Sequence, residues 1–577
     1  MSKPMTVPGA SGTPLLAPGV SSRRRGRRRV GRAVLATTLV VGLGVAGSSG
    51  ASGARGPSGA SGPSGASGPS GPTTAFTLNA SKDSGNPRLT GDNQGFSVES
   101  ADFAHGYLTR QLMSQRLKTL GPSGVVRLGG YSMDLVWPAF GKYANAPAPA
   151  EAIGGTVDQG DMDALKPLLD DSGWKVTLGI PLKKLLDPSQ IKSPTRDPSP
   201  AVTLDQVVAE VKAAHDTLGD DLLSVELGNE FDNVTTLTGG QYYEKLKEIS
   251  AAINAGVPGV HLKMTGPSAN TAATNTKLDE FVTAMEADTS TAPRQLMTEL
   301  TSHFYPGSHC GRSTLKLSTL MSADTWTKTQ TKLDGIIATG AKLSQPIPSV
   351  INESNSASCS GQPGVSDAYA SSLWSLDYLL QAAKTGIGRV AFHTNTKAIC
   401  GDFQARDSVN YPVSYRYYGA FCAKDQAELD RNELSAAPLY YGLWAFRQVP
   451  QGRFLDLDLG VDALPQLRAY AVEGPRGETT VVLINVQDPF STTSTSDAVK
   501  VNLPSAFQKA SQVVLRSTDP AGLSSLNASA ISLGGSQVLP NGASTGTPKS
   551  VPVDVQHKSA TVNVAPGTAS IVTFGHH

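Results

Sequence analysis

The sequence predicts an α/β protein in which a parallel (β/α)8 barrel of the TIM type is followed by an antiparallel β-sandwich. Eight short apolar segments typical of strands alternate with longer segments of helical periodicity, which favours a closed parallel barrel over an open sheet. From about Ala437 the pattern changes to short strands separated by turn residues, as in a sandwich. The first predicted strand is not followed by a glycine-rich phosphate fingerprint, so the sequence disfavours a dinucleotide-binding fold.

The first 51 residues have the organisation of a secretory signal. A basic stretch from Arg23 to Arg32 precedes an apolar stretch from Ala33 to Gly47, and small residues around Ala51 offer a cleavage site. The apolar stretch is too short for a comfortable membrane span. We therefore expect a secreted protein, free or associated with the cell surface, with no stable membrane span. An uncleaved anchor and the export route stay open.

Residues 52–73 are predicted to form a flexible linker. Between Gly47 and Gly71 a glycine occupies every third position, with mostly Ser, Ala and Pro between. A collagen helix has this period but needs many more triplets. A Gly/Ser/Pro composition is typical of a flexible linker.

The basic residues are concentrated at the N-terminus. Residues 1–72 hold nine Lys and Arg residues and no acidic residue, so removing these nine charges from the net charge of +1 leaves −8 for residues 73–577. A net acidic mature protein argues against a nucleic-acid partner and against a long polyanionic substrate, because both favour a basic surface.

We expect residues 91–436 to form the barrel and residues 437–577 the sandwich. Residues 74–90 contain the strand-like segment Phe76–Asn79, which has no partner in the barrel and is predicted to join the sandwich. The predicted barrel strands are Gly95–Glu99, Val125–Leu128, Lys175–Ile180, Leu222–Leu227, His261–Thr265, Met297–Tyr305, Ser349–Asn352 and Arg389–His393. The predicted sandwich strands include Thr479–Asn485, Val499–Val501, Gln512–Leu515 and Ala569–Phe574.

Two carboxylates follow strands that face each other across the predicted barrel. Glu230 follows the fourth strand and Glu353 ends the seventh, at the barrel end where such proteins keep their chemistry. Glycoside cleavage with retention needs two carboxyl groups roughly 5 to 5.5 Å apart, one protonated and one ionised. Proximity of two carboxylates separates their pKa values, which supplies both protonation states at one pH.

The segments around these glutamates resemble glycoside hydrolase family 79, the β-glucuronidases and heparanases, within the clan of retaining glycosidases. The resemblance covers about Phe96 to Phe446. It is carried by Gly228-Asn229-Glu230, by Asn352-Glu353-Ser354-Asn355-Ser356, by Gly129-Gly130 with Asp134, and by Tyr440-Tyr441-Gly442-Leu443 beyond the barrel. The family architecture is a barrel plus a sandwich that borrows an N-terminal strand.

The resemblance also implies roles for individual residues. Glu230 is the expected acid/base and Glu353 the expected nucleophile, with Asn229 bonded to the sugar 2-hydroxyl. Tyr305 is expected to orient the nucleophile by a hydrogen bond. Glu99 and Asp134 are candidates for holding sugar hydroxyls, and the alternative is that each is a buried structural group.

The loop after Glu353 departs from the family pattern. Relatives carry an aromatic residue and several glycines there to hold the uronic carboxylate, whereas this chain has Ser358 at the aromatic position. Backbone amides at Ser360 and Gly361 are candidates for a small anion nest. Tyr411 or Tyr415, after the eighth strand, is a candidate hydroxyl donor.

The four cysteines fit two disulfides in an exported protein. Three pairings are possible. The placement of Cys310 and Cys359 after adjacent strands, and of Cys400 and Cys422 in one loop, favours Cys310–Cys359 and Cys400–Cys422. His303 and His393 lie at strand ends without partners at metal-ligand spacing, so we predict no metal site, and His303 is interpreted as a hydrogen-bonding residue of the site wall.

The sequence therefore predicts a retaining glycosidase that cleaves a terminal β-linked sugar, with β-D-glucuronide as the favoured substrate and no cofactor. Two alternatives stay open. One is a clan relative that acts on a neutral glycoside, of the xylosidase or arabinofuranosidase type. The other is an exported carbohydrate-binding barrel without turnover. The sequence leaves the oligomeric state and the aglycone open.

Overall fold

The computed structural model describes residues 73–109, 113–192, 199–257, 259, 261–394, 400, 417–431, 433–460, 463 and 465–576. The predicted signal peptide and the linker up to residue 72 lie outside this part of the chain. All structural statements below concern the described residues.

Eight parallel strands close into a barrel, as the sequence predicts. Each strand pairs with its neighbours in chain order, and the eighth pairs with the first through Val390 opposite Gln94. The strand residues are almost all buried, as expected for a parallel sheet covered by helices. The barrel strands are β1 (Gln94–Glu99), β2 (Val125–Gly129), β3 (Lys175–Ile180), β4 (Leu222–Leu227), β5 (Met264–Asn270), β6 (Met297–His303), β7 (Ser349–Ser354) and β8 (Val390–His393).

The fifth strand is displaced from its predicted position. Sequence patterning places it at His261–Thr265, ending before Gly266-Pro267, whereas β5 runs through this dipeptide to Asn270. Pro267 has no N–H group to donate to a ladder. It is accommodated because the β5–β6 register shifts next to its partner Thr301.

The helices around the barrel begin at side-chain caps and bury one face. The helix before β4 starts at Thr203, which forms a capping box with Gln206, and buries Val207, Val211 and Ala214. The described α-helices are Ser100–Ala104, Met113–Leu120, Gln159–Ser172, Leu204–Leu218, Phe231–Val234, Gly239–Gly256, Thr276–Ala287, Pro293–Leu296, Leu317–Leu320, Ala323–Gly340, Ala370–Thr385, Gln426–Asp430 and Pro438–Phe446. None of them combines the length and the apolar character that crossing a bilayer requires.

Two further sheets pack face to face around a second core, which includes Leu78, Val499 and Phe574. The N-terminal strand Thr73–Ser81 belongs to one of them, so the sandwich borrows this strand as predicted. Its pairing with Ser496–Asn502 is parallel, in a sandwich whose other pairings are antiparallel. The strands of the two sheets are Thr73–Ser81, Arg88–Leu89, Gly452–Phe454, Asp456–Asp458, Leu467–Glu473, Thr479–Asn485, Ser496–Asn502, Lys509–Ser517, Ile531–Leu533, Val551–Val553, Val555–Gln556, Ser559–Val564 and Thr568–Gly575.

The barrel and the sandwich are joined through buried helices. Helix Pro438–Phe446 packs on helix Ala370–Thr385 at a distance that only glycine permits at position 442, because a Cβ there would lie 2.0 Å from Ser375 Oγ. From the sandwich, the Tyr470 hydroxyl donates to the buried carboxylate of Asp377. The two parts therefore share one continuous packing interface.

Candidate active site

Glu230 lies just beyond the C-terminal end of β4 in a strained backbone conformation. Its φ of 45° is in the left-handed region, which costs a non-glycine residue of order 1 to 3 kcal/mol and is typical of functional sites. The side chain is bonded on both oxygens. His303 Nδ1 lies 3.1 Å from Oε1, and Asn233 Nδ2 donates to Oε2. The carboxylate is thus held in one orientation.

Glu353 lies in β7, almost fully buried. The Tyr305 hydroxyl donates to Oε1 at 2.9 Å, and Arg127 Nη1 donates to Oε2 at 2.9 Å. Two ring nitrogens, from His303 and His393, lie 3.8 Å from Oε2. Each carboxylate oxygen therefore faces a donor, an arrangement that stabilises the ionised form.

The two glutamates face each other across His303. One oxygen of Glu230, one oxygen of Glu353 and a ring nitrogen of His303 all lie within 4.8 Å of one another. The carboxyl groups are thus close enough to act on the same atom of a bound molecule. The three side chains offer donor atoms close enough for a cation, but Glu230 Oε1 already lies 3.1 Å from His303 Nδ1, and Glu353 Oε2 already accepts from Arg127. The prediction that His303 is a hydrogen-bonding wall residue agrees with this geometry.

Arg127 joins both carboxylate-bearing strands from β2. Its guanidinium forms a two-pronged ion pair with the fully buried Glu226 of β4, in addition to its bond to Glu353. Nη2 donates to Asn229 Oδ1 at 2.8 Å. Because this bond occupies the carbonyl oxygen, the Nδ2 group of Asn229 is the end available to donate to a ligand.

Neighbouring cations lower the pKa of Glu353. Burial alone would raise this pKa, but the charges of His393, His303 and Arg127, with the hydrogen bond from Tyr305, outweigh burial and lower it to about 2. In turn, burial lowers the pKa of His393, but the carboxylates of Glu353 and Glu99 raise it to a net value above the ordinary one. Glu353 is consequently ionised across the physiological range.

The carboxylates of Glu99 and Asp134 hold backbone amides. Glu99 is fully buried and accepts the N–H groups of Tyr131 and Ser132, with His393 Nε2 at 3.3 Å. Asp134 Oδ1 accepts two N–H groups from the loop after β3, those of Leu182 and Lys183, each at 2.8 Å. The two carboxylates thus fix the loops after β2 and β3. This agrees with the alternative that they are buried structural groups. Their contact with sugar hydroxyls stays a prediction.

The loop after β7 is held by the loop after β6. Ser358 Oγ donates to Ser308 Oγ at 3.1 Å and lies 3.3 Å from Cys310 Sγ. These contacts engage the Ser358 hydroxyl within the protein. Its predicted contact with substrate stays untested, as does that of Ser360.

Tyr418 is a site residue that sequence patterning did not single out. Its buried ring lies 6.4 Å from the ring of Tyr305 and 5.8 Å from that of His393. The rings of Tyr418 and Tyr305 are stacked, with 29° between their planes. The two tyrosines that the sequence had suggested after β8, Tyr411 and Tyr415, lie outside the described residues.

Arg127 and Glu226 were also missed, although the sequence carries a signal for them. Each is a charged residue inside an otherwise apolar strand, Val125–Gly129 and Leu222–Leu227. Charged residues are almost never fully buried unless they are paired, so two such residues in barrel strands predict an internal ion pair. The sequence pattern does not predict that Arg127 and Glu226 pair with each other, because their contact depends on how the barrel closes.

Both disulfides favoured by the strand order are present. Cys310–Cys359 connects the loops after β6 and β7, and Cys400–Cys422 closes a loop after β8. Both bridges are at the end of the barrel that carries Glu230 and Glu353. The Cys310–Cys359 bridge constrains the loops after β6 and β7, and the second of these loops follows Glu353.

The barrel, the attached sandwich and the paired glutamates at the ends of β4 and β7 make this protein glycoside hydrolase-like. The sequence matches no family profile. Over 176 residues it is 25% identical to a β-glucuronidase of Neurospora crassa, a match that covers 30% of this chain and only 29% of that protein's length.

Solved structures share the fold at low sequence identity. A 4-O-α-L-rhamnosyl-β-D-glucuronidase from Fusarium oxysporum 12S has a TM-score of 0.64 and 20% identity, with 86% of this chain and all of that chain covered. A family 51 arabinofuranosidase from Xanthomonas axonopodis pv. citri has a TM-score of 0.57 and 12% identity, with the same coverage of both chains. At these identities the likeness shows the fold alone.

Proposed function

We propose that this protein is an exported retaining glycoside hydrolase that cleaves terminal β-D-glucuronides. The observation that carries the proposal is the approach of the Glu230 and Glu353 carboxylates to within 4.8 Å. Carboxyl groups of retaining glycosidases lie roughly 5 to 5.5 Å apart, whereas inverting enzymes leave room for a water molecule at roughly 6.5 to 9.5 Å.

In the first step Glu353 attacks the anomeric carbon. The oxygens of this carboxylate are positioned by Tyr305 and Arg127, and its low pKa keeps it ionised. Glu230 gives its proton to the glycosidic oxygen as the bond to the aglycone breaks. The products of this step are the free aglycone alcohol and a glycosyl ester of Glu353.

In the second step Glu230 acts as the base. It takes a proton from a water molecule that attacks the anomeric carbon, the ester bond to Glu353 breaks, and the sugar leaves with its original configuration. Asn229 Nδ2 donates to the 2-hydroxyl of the sugar in both steps. Arg127 holds the carbonyl end of the Asn229 amide, so the donor end keeps its direction.

The uronate carboxylate is assigned to the loop after β7 and to Tyr418. Gly361 lies against Tyr418, where a Cβ at position 361 would be 3.1 Å from Tyr418 Cβ. The Gly361 N–H and the Tyr418 hydroxyl are the proposed donors. In this arrangement the ring of Tyr418 keeps its stacking contact with Tyr305 while its hydroxyl faces the uronate.

The relatives and the disulfides support the remaining parts of the proposal. The partial match to a β-glucuronidase favours glucuronide over other sugars. Disulfides persist in oxidising compartments, so the two bridges favour export, as does the predicted signal sequence.

A panel of p-nitrophenyl glycosides tests the proposal. We expect hydrolysis of the β-D-glucuronide, and we expect proton NMR to show the β-anomer of the sugar as the first product. Glu353→Ala is expected to abolish turnover. Glu230→Ala is expected to lose activity on poor leaving groups and to yield a β-glycosyl azide when azide is added. Glu151 is exposed and is not one of the two proposed catalytic glutamates, so Glu151→Ala serves as the matched control.

Three results would contradict parts of the proposal. Activity on the β-D-xyloside or the α-L-arabinofuranoside without activity on the glucuronide would favour the neutral-sugar alternative and spare the mechanism. Formation of the α-anomer first would exclude retention. Inactivity of the wild type across the panel, with retained sugar binding by calorimetry, would favour a carbohydrate-binding barrel.

A further inference from the structure

The disulfide Cys310–Cys359 fastens the loop that follows β7. Beside it, the short strands Gly307–Ser308 and Ala357–Ser358 pair in parallel, and His309 donates its N–H to the Ser358 carbonyl at 3.1 Å. The loop after the Glu353 strand is therefore fixed at its start by a covalent bond to the neighbouring loop.

The residues directly at this bond have a strained backbone. Cys359, Ser360 and Gly361 follow one another with φ values of 59°, 73° and 79°, all in the left-handed region. Two of the three are not glycine, and a non-glycine residue keeps this conformation only where its surroundings impose it. The disulfide is the strongest of these surroundings because it fixes Cys359 itself.

The strained segment holds the two tyrosines that follow the loop after β8. The Ser360 carbonyl accepts the Tyr417 N–H at 3.0 Å, which fixes the backbone directly before Tyr418. The ring of Tyr418 stacks on the ring of Tyr305 with 6.4 Å between centroids, and the Tyr305 hydroxyl donates to Glu353 at 2.9 Å. A continuous series of contacts thus leads from the disulfide to the nucleophile.

We propose that the Cys310–Cys359 disulfide is a positioning element for both catalysis and sugar selection. By imposing the left-handed conformation on Ser360 and Gly361, it holds Tyr418 against Tyr305 and so holds Glu353. It also sets the Gly361 N–H beside the Tyr418 hydroxyl, the pair assigned to the uronate. This inference rests on the proposed function, and it predicts that loss of the bridge impairs turnover and uronate selectivity together.

Loss of the bridge is tested with Cys310→Ser/Cys359→Ser. We expect kcat/KM for the glucuronide to fall about 10- to 100-fold, the loss of one or two hydrogen bonds to charged groups. The ratio of kcat/KM for glucuronide to that for xyloside is expected to fall as well. The acid limb of the pH profile is expected to move to higher pH, because Glu353 loses the Tyr305 hydrogen bond. A merely structural bridge would change the melting temperature without changing the ratio or the pH profile.

Adding Ser360→Gly to the double variant provides the matched control. Glycine adopts positive φ without a steric cost, so the triple variant is expected to recover part of the lost kcat/KM and of the selectivity. If the double variant keeps wild-type kcat/KM and selectivity, or if it loses them and Ser360→Gly recovers nothing, the inference is wrong.

Hydrogen exchange at the Tyr417–Phe421 segment gives a readout that needs no substrate. The Tyr417 amide is bonded to Ser360, so its exchange is expected to accelerate in the double variant while the barrel strands keep their protection. Unchanged exchange at Tyr417 would overturn the inference. Wild-type inactivity on every glycoside would overturn the proposed function instead, and the exchange result would still decide the link from the disulfide to Tyr417.

Discussion

The Tyr305 hydroxyl donates to Glu353 Oε1 at 2.9 Å, and this bond connects the end of β6 to the carboxylate of β7. The other oxygen of Glu353 faces Arg127 of β2, and His303 lies between Glu353 and Glu230. Residues of β2 and of the end of β6 therefore fix the carboxylate that β7 carries, and the end of β4 presents the second. The predictions that follow test what each of these contacts contributes.

Tyr305→Phe is expected to lower kcat/KM about 10- to 100-fold, since a hydrogen bond to a charged group contributes about 1.5 to 3 kcal/mol. Steady-state kinetics on the aryl glucuronide measure the loss. The variant keeps the ring and its packing, so its melting temperature should stay close to that of the wild type. Full activity in Tyr305→Phe would show that the hydroxyl does not orient Glu353.

The low pKa of Glu353 predicts that activity persists at acidic pH. Glu353 attacks in its ionised form, and its pKa is depressed to about 2, so ionisation is lost only as the pH falls toward that value. In Glu230→Ala, assayed with an aryl glycoside whose leaving group needs no protonation, kcat/KM should be flat from about pH 7 down to about pH 4.

His393→Asn is the companion variant for the pH profile. The charge of His393 lowers the pKa of Glu353, whereas burial raises it. Removing this charge should therefore raise the pKa of Glu353 and move the acid limb to higher pH. If the acid limb of Glu230→Ala is centred near the ordinary carboxyl pKa, the first expectation is wrong. If adding His393→Asn does not displace this limb, the second expectation is wrong.

Arg127→Met is expected to destabilise the fold by about 3 to 5 kcal/mol, because it leaves the buried carboxylates of Glu226 and Glu353 without their cation. Urea denaturation measures the loss. Adding Glu226→Gln removes one of the uncompensated charges and should restore part of the stability. Additive losses in the double variant would mean that the ion pair is not the origin of the effect.

Glu210 predicts that stability falls as the pH rises. This carboxyl is 2% exposed, and its Oε2 has no hydrogen-bond partner among the described residues. Burial raises its pKa to about 8, whereas an unfolded glutamate ionises near pH 4.3. Between these values the unfolded chain releases a proton that the folded chain keeps, so this group reduces stability progressively up to about pH 8 and by a constant amount above it.

Glu210→Leu is therefore expected to raise stability by about 1 to 3 kcal/mol at pH 8, and by little at pH 4. Thermal unfolding at both pH values measures the difference. The exposed Glu248→Leu is the control and should show no pH-dependent gain. A gain of the same size at both pH values would assign the effect to packing rather than to ionisation.

Hydrophobic patterning was enough to predict the barrel because each strand is a short apolar run and each helix has its own periodicity. It placed Leu222–Leu227 and Lys175–Ile180 at their observed bounds. It missed the extent of β5, since a proline in a strand is tolerated only where the register of the neighbouring strand shifts. The borrowed strand Thr73–Ser81 was predicted from its lack of a barrel partner, but not its parallel pairing.

The sequence by itself determined the residue types at the ends of β4 and β7, and hence the candidate chemistry of Glu230 and Glu353. Only the tertiary structure decided which groups surround them. Arg127 and His393 are far from Glu353 along the chain, and barrel closure brings them to it, with Tyr418 packed against His393. The ionisation of a buried carboxylate depends on the charges within a few ångströms, and those neighbours are set by the closed sheet and not by local sequence.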